Sequence, residues 1–247
     1  MVLREMSQPT EQTAWRATGV YLPTNASKTG LLEETRLFLL ALDEQRTPRA
    51  ASQLLVNGAL PQRSRETRQT IVTVIQQRLT RWSPPAWVCE DLVSHAQDSN
   101  PASLQAVLLL HVVRQDALLY DFVQHDLVPR WERGDDILVR ADVQRFLDHA
   151  VRDHPEVDTW SRETREKLSG NMLSILRDYG LLRGREQKQI IEPLVPLPVA
   201  AHIVHLLRAE GVAAASLADH ADWRIWLWDS HRVHQTLAAL AAQEANL

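Results

Sequence analysis

The segment Ser64-Arg65-Glu66-Thr67-Arg68 occurs a second time, residue for residue, at positions 161–165. Apolar residues follow both copies at helical spacing, and they correspond in pairs: Ile71 with Leu168, Ile75 with Met172, and Leu79 with Leu176. Each copy therefore predicts the start of a long helix. A long helix that follows a short helix and a tight turn is typical of a helix-turn-helix module. We expect an all-α protein that carries two such modules and binds DNA.

The composition agrees with a helical globular protein. Of the 247 residues, 45% are apolar and 23% are charged, and only 8 are glycine, which is ordinary for a soluble domain. No apolar run approaches the roughly 20 residues that a transmembrane helix needs, and the polar start does not resemble a signal peptide, so we expect a cytoplasmic protein. The single cysteine, Cys89, excludes an internal disulfide and a cysteine-built zinc site. Its apolar neighbours predict a buried, inert thiol.

Charge is distributed unevenly along the chain. The formal net charge is −4, yet the stretch 46–81 contains seven arginines and one acid, and the stretch 161–189 contains seven bases and four acids. These balances of +6 and +3 leave −13 for the remainder. Each basic stretch contains one copy of the repeated segment. Clustered bases are the electrostatic signature of phosphate binding, although arginine-rich helices can also simply be solvated.

Capping residues and prolines divide the chain into five parts. Thr47-Pro48 predicts a helix start, and Asn57-Gly58 predicts a helix end before the turn that leads to Ser64. Residues 181–191 have apolar ends around a basic, glycine-containing tip, which predicts a β-hairpin wing. The expected parts are an N-terminal arm (1–29), a helix-turn-helix module (30–97), central helices (98–139), a winged helix-turn-helix module (140–192) and C-terminal helices (193–247).

The residues expected to contact DNA lie on the outward faces of the two long helices and on the wing. The first helix presents amide and hydroxyl groups suited to base edges in a major groove. The second presents a mixed-charge face, and its wing is expected to contact phosphates. The candidate DNA-binding residues are Arg63, Arg65, Gln69, Thr70 and Thr73 in the first module, and Arg162, Lys167, Ser174, Arg183, Arg185 and Lys188 in the second.

The first and last residues of each copy have expected structural roles. Ser64 and Ser161 are predicted N-caps. At about 100° per residue, Arg68 and Arg165 fall on the side of the apolar stripe. We favour a pairing with an acid or a helix end for these arginines over a DNA contact, because inward-directed charges are seldom unpaired. The tryptophans at 223, 226 and 228 have a spacing that is more often found in a core than on a binding surface, and the sequence leaves core and interface open for them.

Five motifs follow one another along the chain. They are Gly-Leu-Leu-Glu-Glu at 30–34, Arg-Ser-Arg-Glu-Thr-Arg at 63–68, Phe-Leu-Asp-His at 146–149, Trp-Ser-Arg-Glu-Thr-Arg-Glu-Lys-Leu at 160–168, and Leu-Arg-Asp-Tyr-Gly-Leu-Leu at 176–182. In this order they resemble the BrxA family, small core components of BREX (bacteriophage exclusion) defence systems, over residues 30–245. The most specific part is the Ser-x-x-Thr helix that ends in Tyr-Gly-Leu-Leu.

The resemblance implies an all-helical, non-enzymatic protein that binds double-stranded DNA. It also implies work beside a methyltransferase, ATPases and a phosphatase-like protein in phage restriction and host methylation. Because two modules on one chain can contact a long duplex without dimerisation, we expect a monomer. The family has also been likened to the RNA-binding factor NusB, so RNA binding is one alternative. A protein–protein scaffold of the defence complex, without direct DNA contact, is another.

No motif predicts an enzyme. The sequence contains no P-loop, no Gly-x-Gly-x-x-Gly and no His-Glu-x-x-His, the motifs of nucleotide-binding sites and zinc proteases. The pairs His202/His205 and His231/His234 could each place two imidazoles on one helix face, but no carboxylate or cysteine lies at a suitable spacing to complete a metal site. We therefore expect no catalytic residue, no metal and no cofactor.

Overall fold

Helices make up most of the chain. The computed structural model describes residues 15–26 and 28–245. Within these residues the α-helices are α1 (Leu32–Gln45), α2 (Pro48–Leu54), α3 (Arg65–Leu79), α4 (Ala86–Gln97), α5 (Pro101–Arg114), α6 (Ala117–Phe122), α7 (Val128–Glu132), α8 (Arg140–Ala150), α9 (Arg162–Asp178), α10 (Leu197–Ala209) and α11 (Ser230–Glu244). The mainly α-helical class expected from the sequence is confirmed.

Shorter turns connect or extend several of these helices. One π turn (Leu55–Ala59) continues α2, and another (Val123–Leu127) joins α6 to α7. The 3-10 helices are Pro23–Ala26, Pro155–Thr159, Ala214–Ser216 and Ala221–Trp226. The helix start predicted at Thr47-Pro48 is confirmed, because the Thr47 side chain accepts a hydrogen bond from the Ala50 amide. The helix end predicted at Gly58 is also confirmed, since this residue has a φ of 140°, which favours glycine.

A small antiparallel sheet lies beside α9. Its strands are β1 (Ile137–Leu138), β2 (Leu182–Arg183) and β3 (Lys188–Ile190), in the order β1-β3-β2. Strands β2 and β3 form the hairpin that residues 181–191 predict. Strand β1 was not predicted, and it pairs with β3 from a position before α8.

Helix α5 lies at the centre of the hydrophobic core. Every residue from Ala106 to Arg114 is buried, as expected for a helix that is apolar nearly all round. Three tryptophans of the C-terminal part pack near it. Trp223 and Trp228 are stacked with ring centroids 5.7 Å apart, and the Trp226 indole donates a hydrogen bond to the Ala106 carbonyl. The tryptophan cluster therefore belongs to the core, which decides the choice between core and interface that the sequence left open. Among the described residues, no helix combines the length and the apolar character needed to cross a membrane.

A buried ionic network joins α5 to the C-terminal part of the fold. The Arg114 guanidinium donates to the carboxylates of Glu210 and Asp222, and the Tyr120 hydroxyl donates to Asp222 Oδ1 at 2.9 Å. Buried charges are tolerated only when they are paired. The network therefore fixes the last turn of α5 against the end of α10 and the 3-10 helix Ala221–Trp226.

The N-terminal strap (residues 15–26 and 28–30) runs across several of these elements. The Trp15 amide donates to Glu210 Oε1 at 2.8 Å, and the Ala17 amide donates to the Arg114 carbonyl at 2.8 Å. Tyr21 is buried, and its ring stacks on His154 with centroids 3.5 Å apart. The remainder of the arm expected over residues 1–29, namely residues 1–14 and 27, lies outside the described residues.

Candidate nucleic-acid interface

The first copy of the repeated segment closes the turn between α2 and α3. Ser64 Oγ accepts a hydrogen bond from the Thr67 amide at 3.1 Å, which confirms the predicted N-cap. Arg68 points back towards the turn. Its Nε donates to the Val56 carbonyl at 2.7 Å, and its Nη1 donates to the carbonyls of Gln62 at 2.6 Å and Arg63 at 3.0 Å. The structural role favoured for Arg68 is therefore confirmed: it clamps the turn.

The second copy starts α9 in the same way but uses its last arginine differently. Ser161 Oγ accepts from the Thr164 amide at 3.1 Å, so this predicted N-cap is also confirmed. Arg165 forms ion pairs with Asp148 of α8 and Asp158 of the preceding 3-10 helix, each at 3.2 Å. It joins α8, the 3-10 helix Pro155–Thr159 and α9, which confirms a structural role here too.

The outward face of α3 is polar and only partly open to solvent. Arg65, Gln69 and Thr70 are exposed, whereas Thr73 is half-buried. The Thr70 hydroxyl donates to the Glu66 carbonyl at 2.9 Å. A groove of about 370 Å³ runs along this face between α3 and the strap, and Gln69, Thr73 and Gln77 line one side of it. This face thus offers amides and hydroxyls to a ligand that approaches from the strap side.

The outward face of α9 is neutralised by its own ion pairs. Arg162 pairs with Glu166 at 2.8 Å, and Lys167 pairs with Glu163 at 2.7 Å. The Lys167 ammonium lowers the pKa of the Glu163 carboxyl through a hydrogen bond and its charge. The Ser174 hydroxyl is turned inward along the helix and donates to the Gly170 carbonyl at 2.9 Å. A phosphate near Arg162 or Lys167 would have to displace a carboxylate.

The β2–β3 hairpin exposes two of the three cations that were expected to bind DNA there and buries the third. Arg183 and Arg185 are exposed, and Arg183 Nη2 donates to Gln189 Oε1 at 2.8 Å. Lys188, expected on the surface, is only 6% exposed, and its ammonium donates to the Arg185 carbonyl. Burial lowers the pKa of Lys188, and the nearby cations Arg177 and Arg140 lower it further. Because side chains alternate along a strand, Lys188 shares the inward side of β3 with Ile190. The expected exposure of Lys188 was therefore wrong.

Two exposed arginines near these faces were missed at the sequence level. Arg140 begins α8, and its guanidinium lies against α9: a Cβ on Gly170 would be 3.1 Å from Arg140 Nη2. Arg81 follows the end of α3. A glycine inside a helix is a signal of a close approach by another group, so Gly170 could have indicated the neighbour but not its identity.

Six arginines on these surfaces are exposed and form no ion pair with any residue that the structure describes. They are Arg63, Arg65 and Arg81 around α3, and Arg140, Arg183 and Arg185 around α9 and its hairpin. Arginine without an acidic partner is free to donate to a phosphate, for which its planar fork is well shaped.

Within the described part of the chain, the histidine pair 202/205 and Cys89 do not form a metal site. His202 is buried, with Nδ1 3.0 Å from Asp91 Oδ2 and Nε2 2.9 Å from His111 Nε2, whereas His205 is exposed. Across residues 15–26 and 28–245, no cluster of three or more His, Cys, Asp or Glu side chains could hold a metal ion. Cys89 is half-buried rather than fully buried, and burial raises the pKa of its thiol.

Comparison with known proteins identifies the family. The BrxA family model matches residues 24–206, well over half of the chain. The chain belongs to the BrxA family. One curated BrxA relative, the BREX protein BrxA of Bacillus cereus (strain H3081.97), is 26% identical over 102 residues, or 41% of this chain. The chain spans about half the length of that relative, 51%. BrxA membership points to a component of a BREX phage-defence system.

One solved structure shares the fold of this BrxA family chain. It is the crystal structure of an uncharacterized protein from Magnetospirillum magneticum, with a TM-score of 0.65 over 85% of this chain and 100% of that one. The two sequences are 18% identical, so the likeness concerns the fold alone.

Proposed function

We propose that this BrxA family protein is a non-enzymatic component of a BREX-type phage-defence system that binds double-stranded DNA. The observation that carries the proposal is the position of the six exposed arginines without ion pairs, which surround α3, α9 and the hairpin. Phosphate contacts by Arg and Lys provide most of the affinity of a protein for duplex DNA. Five of them lie in the two basic stretches of the sequence, 46–81 and 161–189, in a chain whose net charge is −4.

The order of the elements around both helices supports this proposal. Helix α2, its π turn and α3 follow one another as the helices of a helix-turn-helix do. In the second unit, β1, α8, the 3-10 helix Pro155–Thr159, α9 and the β2–β3 hairpin follow in turn, with β1 beside β3. We interpret this unit as a winged helix-turn-helix, in which the hairpin is the wing.

We propose different tasks for the two units. Gln69, Thr70 and Thr73 of α3 face outward without a charged partner, so their amides and hydroxyls suit base edges in a major groove. On α9, Arg162 and Lys167 are already paired with glutamates. The second unit would therefore bind mainly phosphates, through Arg183 and Arg185 of the hairpin and through Arg140.

The protein is proposed to act as a monomer beside other BREX components: a methyltransferase, an ATPase and a phosphatase-like protein. Outside the two basic stretches the chain carries a balance of −13. Acidic surfaces repel DNA. The acidic remainder of the chain would therefore stay free of DNA, and we propose that it contacts the protein partners.

Duplex binding at two salt concentrations tests the proposal. Fluorescence anisotropy with a labelled duplex should show an affinity that falls steeply between 50 and 200 mM salt, as counterion release requires. The pairs Arg63→Glu with Arg65→Glu, and Arg183→Glu with Arg185→Glu, should each lower the affinity and reduce the salt slope by about 2. The control pair, Arg133→Glu with Arg208→Glu, reverses two exposed arginines outside both units and should leave the slope unchanged.

The outcomes separate the alternatives. Folded wild-type protein that binds no duplex at low salt would refute DNA binding and leave the scaffold alternative. Equal affinity for single-stranded RNA would favour the NusB-like alternative. A control pair that weakens binding as much as the other two pairs would show that only the total charge matters.

A further inference from the structure

Asn25 lies where α3, α6 and α9 meet the strap. The residue is 5% exposed. Its Nδ2 donates to the Asp116 carboxylate at the start of α6, and its Oδ1 accepts from Arg78 Nη2 of α3 at 3.0 Å. Its carbonyl accepts from Asn171 Nδ2 of α9 at 2.9 Å. One asparagine therefore bonds to both helices that follow the repeated segment.

Gly30 makes a second connection of the same kind. Its carbonyl accepts hydrogen bonds from Arg78 Nη1 at 2.8 Å and from the Tyr179 hydroxyl. Its amide donates to Asp178 Oδ2 at 3.2 Å. The approach is so close that a Cβ on Gly30 would lie 2.5 Å from Asp178 Cβ. The end of α3 and the end of α9 thus share one carbonyl of the strap.

The strap also reaches the two candidate DNA faces. Pro23 and Thr24 line the groove along the outward face of α3 together with Gln69. Asn171, which binds the Asn25 carbonyl, lies one turn after Lys167 on α9. The 3-10 helix Pro23–Ala26 is therefore in contact with α9 and borders the polar face of α3.

The strap is also held just before its 3-10 helix, by contacts to α6 and to the 3-10 helix Pro155–Thr159 of the second unit. The Tyr21 hydroxyl donates to Asp121 Oδ2 at 2.8 Å, and its amide donates to Glu156 Oε1 at 2.6 Å. With the stacking on His154, these bonds hold the strap before the 3-10 helix Pro23–Ala26, and the Gly30 bonds hold it after that helix. Buried and fully bonded polar groups of this kind fix one geometry.

We propose that residues 21–26 and 28–30 of the strap are a brace that holds α3 and α9 in a fixed relative position, so that one DNA duplex engages both units at once. This inference rests on the proposed DNA-binding function. When two weak sites are held on one body, the second contact becomes intramolecular and the affinity rises without new contacts. The gain is largest when the geometry is fixed before binding, because no ordering cost remains. Asn25 and Asn171 act here as positioning residues.

Duplex length provides the test. The affinities of the full-length protein for duplexes of about 12 and about 24 base pairs are measured and corrected for the number of overlapping sites. Wild-type protein should bind the longer duplex at least about 100-fold more tightly, since avidity factors are about 10² to 10⁴ when both sites engage. Asn171→Ala and Asn25→Ala should each lower the ratio of the two affinities, longer duplex over shorter duplex, by about tenfold. Both should keep their affinity for the shorter duplex within about twofold, because the contacting residues are unchanged.

A matched control is Gln62→Ala, which removes an amide that bonds to Glu34 at 2.8 Å and not to the strap. It should preserve the length advantage. Asn171→Ala decides the question if Asn25→Ala does not fold, since alanine is favourable in a helix. Equal losses on both duplexes, or an unchanged length advantage, would overturn the brace. A wild-type protein that binds both duplexes equally would overturn the brace but not DNA binding; binding to neither would overturn both.

Discussion

Replacing Arg68 by methionine should destabilise the protein much more than replacing Arg165, although the two arginines occupy the same place in the repeated segment. Methionine keeps most of the apolar stem and removes the guanidinium, so the comparison isolates the polar contacts. Arg68 donates three hydrogen bonds to backbone carbonyls that close the turn before α3. Arg165 donates to two carboxylates that are largely in solvent, with side chains 67% and 76% exposed.

The expected magnitudes follow from these partners. A hydrogen bond that involves a charged group contributes roughly 1.5–3 kcal/mol. Two of the Arg68 bonds share one nitrogen and the side chain is only half-buried, so we expect Arg68→Met to lower the free energy of unfolding by about 3 kcal/mol. Exposed ion pairs contribute about 0.2–1 kcal/mol each, so Arg165→Met should cost about 1 kcal/mol.

Urea unfolding followed by far-ultraviolet circular dichroism, at 50 and 500 mM salt, measures both effects. The Arg165→Met cost should shrink at high salt, because solvent-exposed charges are screened. The Arg68→Met cost should persist, because its partners are uncharged carbonyls. Two results would refute this reasoning: equal losses of unfolding free energy for the two variants, or an Arg68→Met loss that disappears at high salt. Either would mean that Arg68 does not stabilise its turn through backbone carbonyls while Arg165 acts through ion pairs.

Two further predictions concern pH and the brace. Burial lowers the pKa of His220 to about 4, and nearby Arg114 and Arg16 contribute. Unfolded histidine gains its proton near pH 6.5, so stability should fall as the pH drops from about 6.5 to 4; urea midpoints should show a shallower decline for His220→Asn, and an unchanged slope would contradict this. Gly30→Ala should lower the free energy of unfolding by about 3 kcal/mol through the clash at Asp178. Gly134→Ala, where a Cβ would meet open space at a φ of 72°, should lower it by about 1 kcal/mol. Thermal unfolding measures both, and equal losses would argue against close packing at Gly30.

The features that the sequence predicts well are local ones. Ser64 and Ser161 cap their helices because a serine oxygen reaches an amide three residues ahead, whatever the rest of the fold does. Gly58 ends its helix for an equally local reason. The inward direction of Arg68 and Arg165 follows from helix geometry alone. Helix geometry does not predict which groups these two arginines bind. An arginine that points inward can donate equally well to the backbone carbonyls of a turn or to a pair of aspartates.

The features that the sequence does not predict depend on distant partners. Strand β1 has two residues, too few for a periodic pattern, and it is defined by its pairing with β3. The sequence places Lys188 among the cations of the predicted wing, but the register of β3 turns its side chain inward. Arg140 joins the candidate interface only because the fold brings its guanidinium against α9 at Gly170. The strap has no periodicity of its own, and hydrogen bonds to residues far along the chain fix its position.

The strap also bears on the order in which the protein can fold during synthesis. Its Trp15 amide binds Glu210, 195 residues later in the chain, and Tyr21 binds Glu156, 135 residues later. At about 5–20 residues per second on the ribosome, Trp15 is made at least about 10 s before its partner. The strap therefore leaves the ribosome early and docks late. Helix α3 can form early, because its N-cap and the turn before it are local, but its position relative to α9 is fixed only when most of the chain has been made.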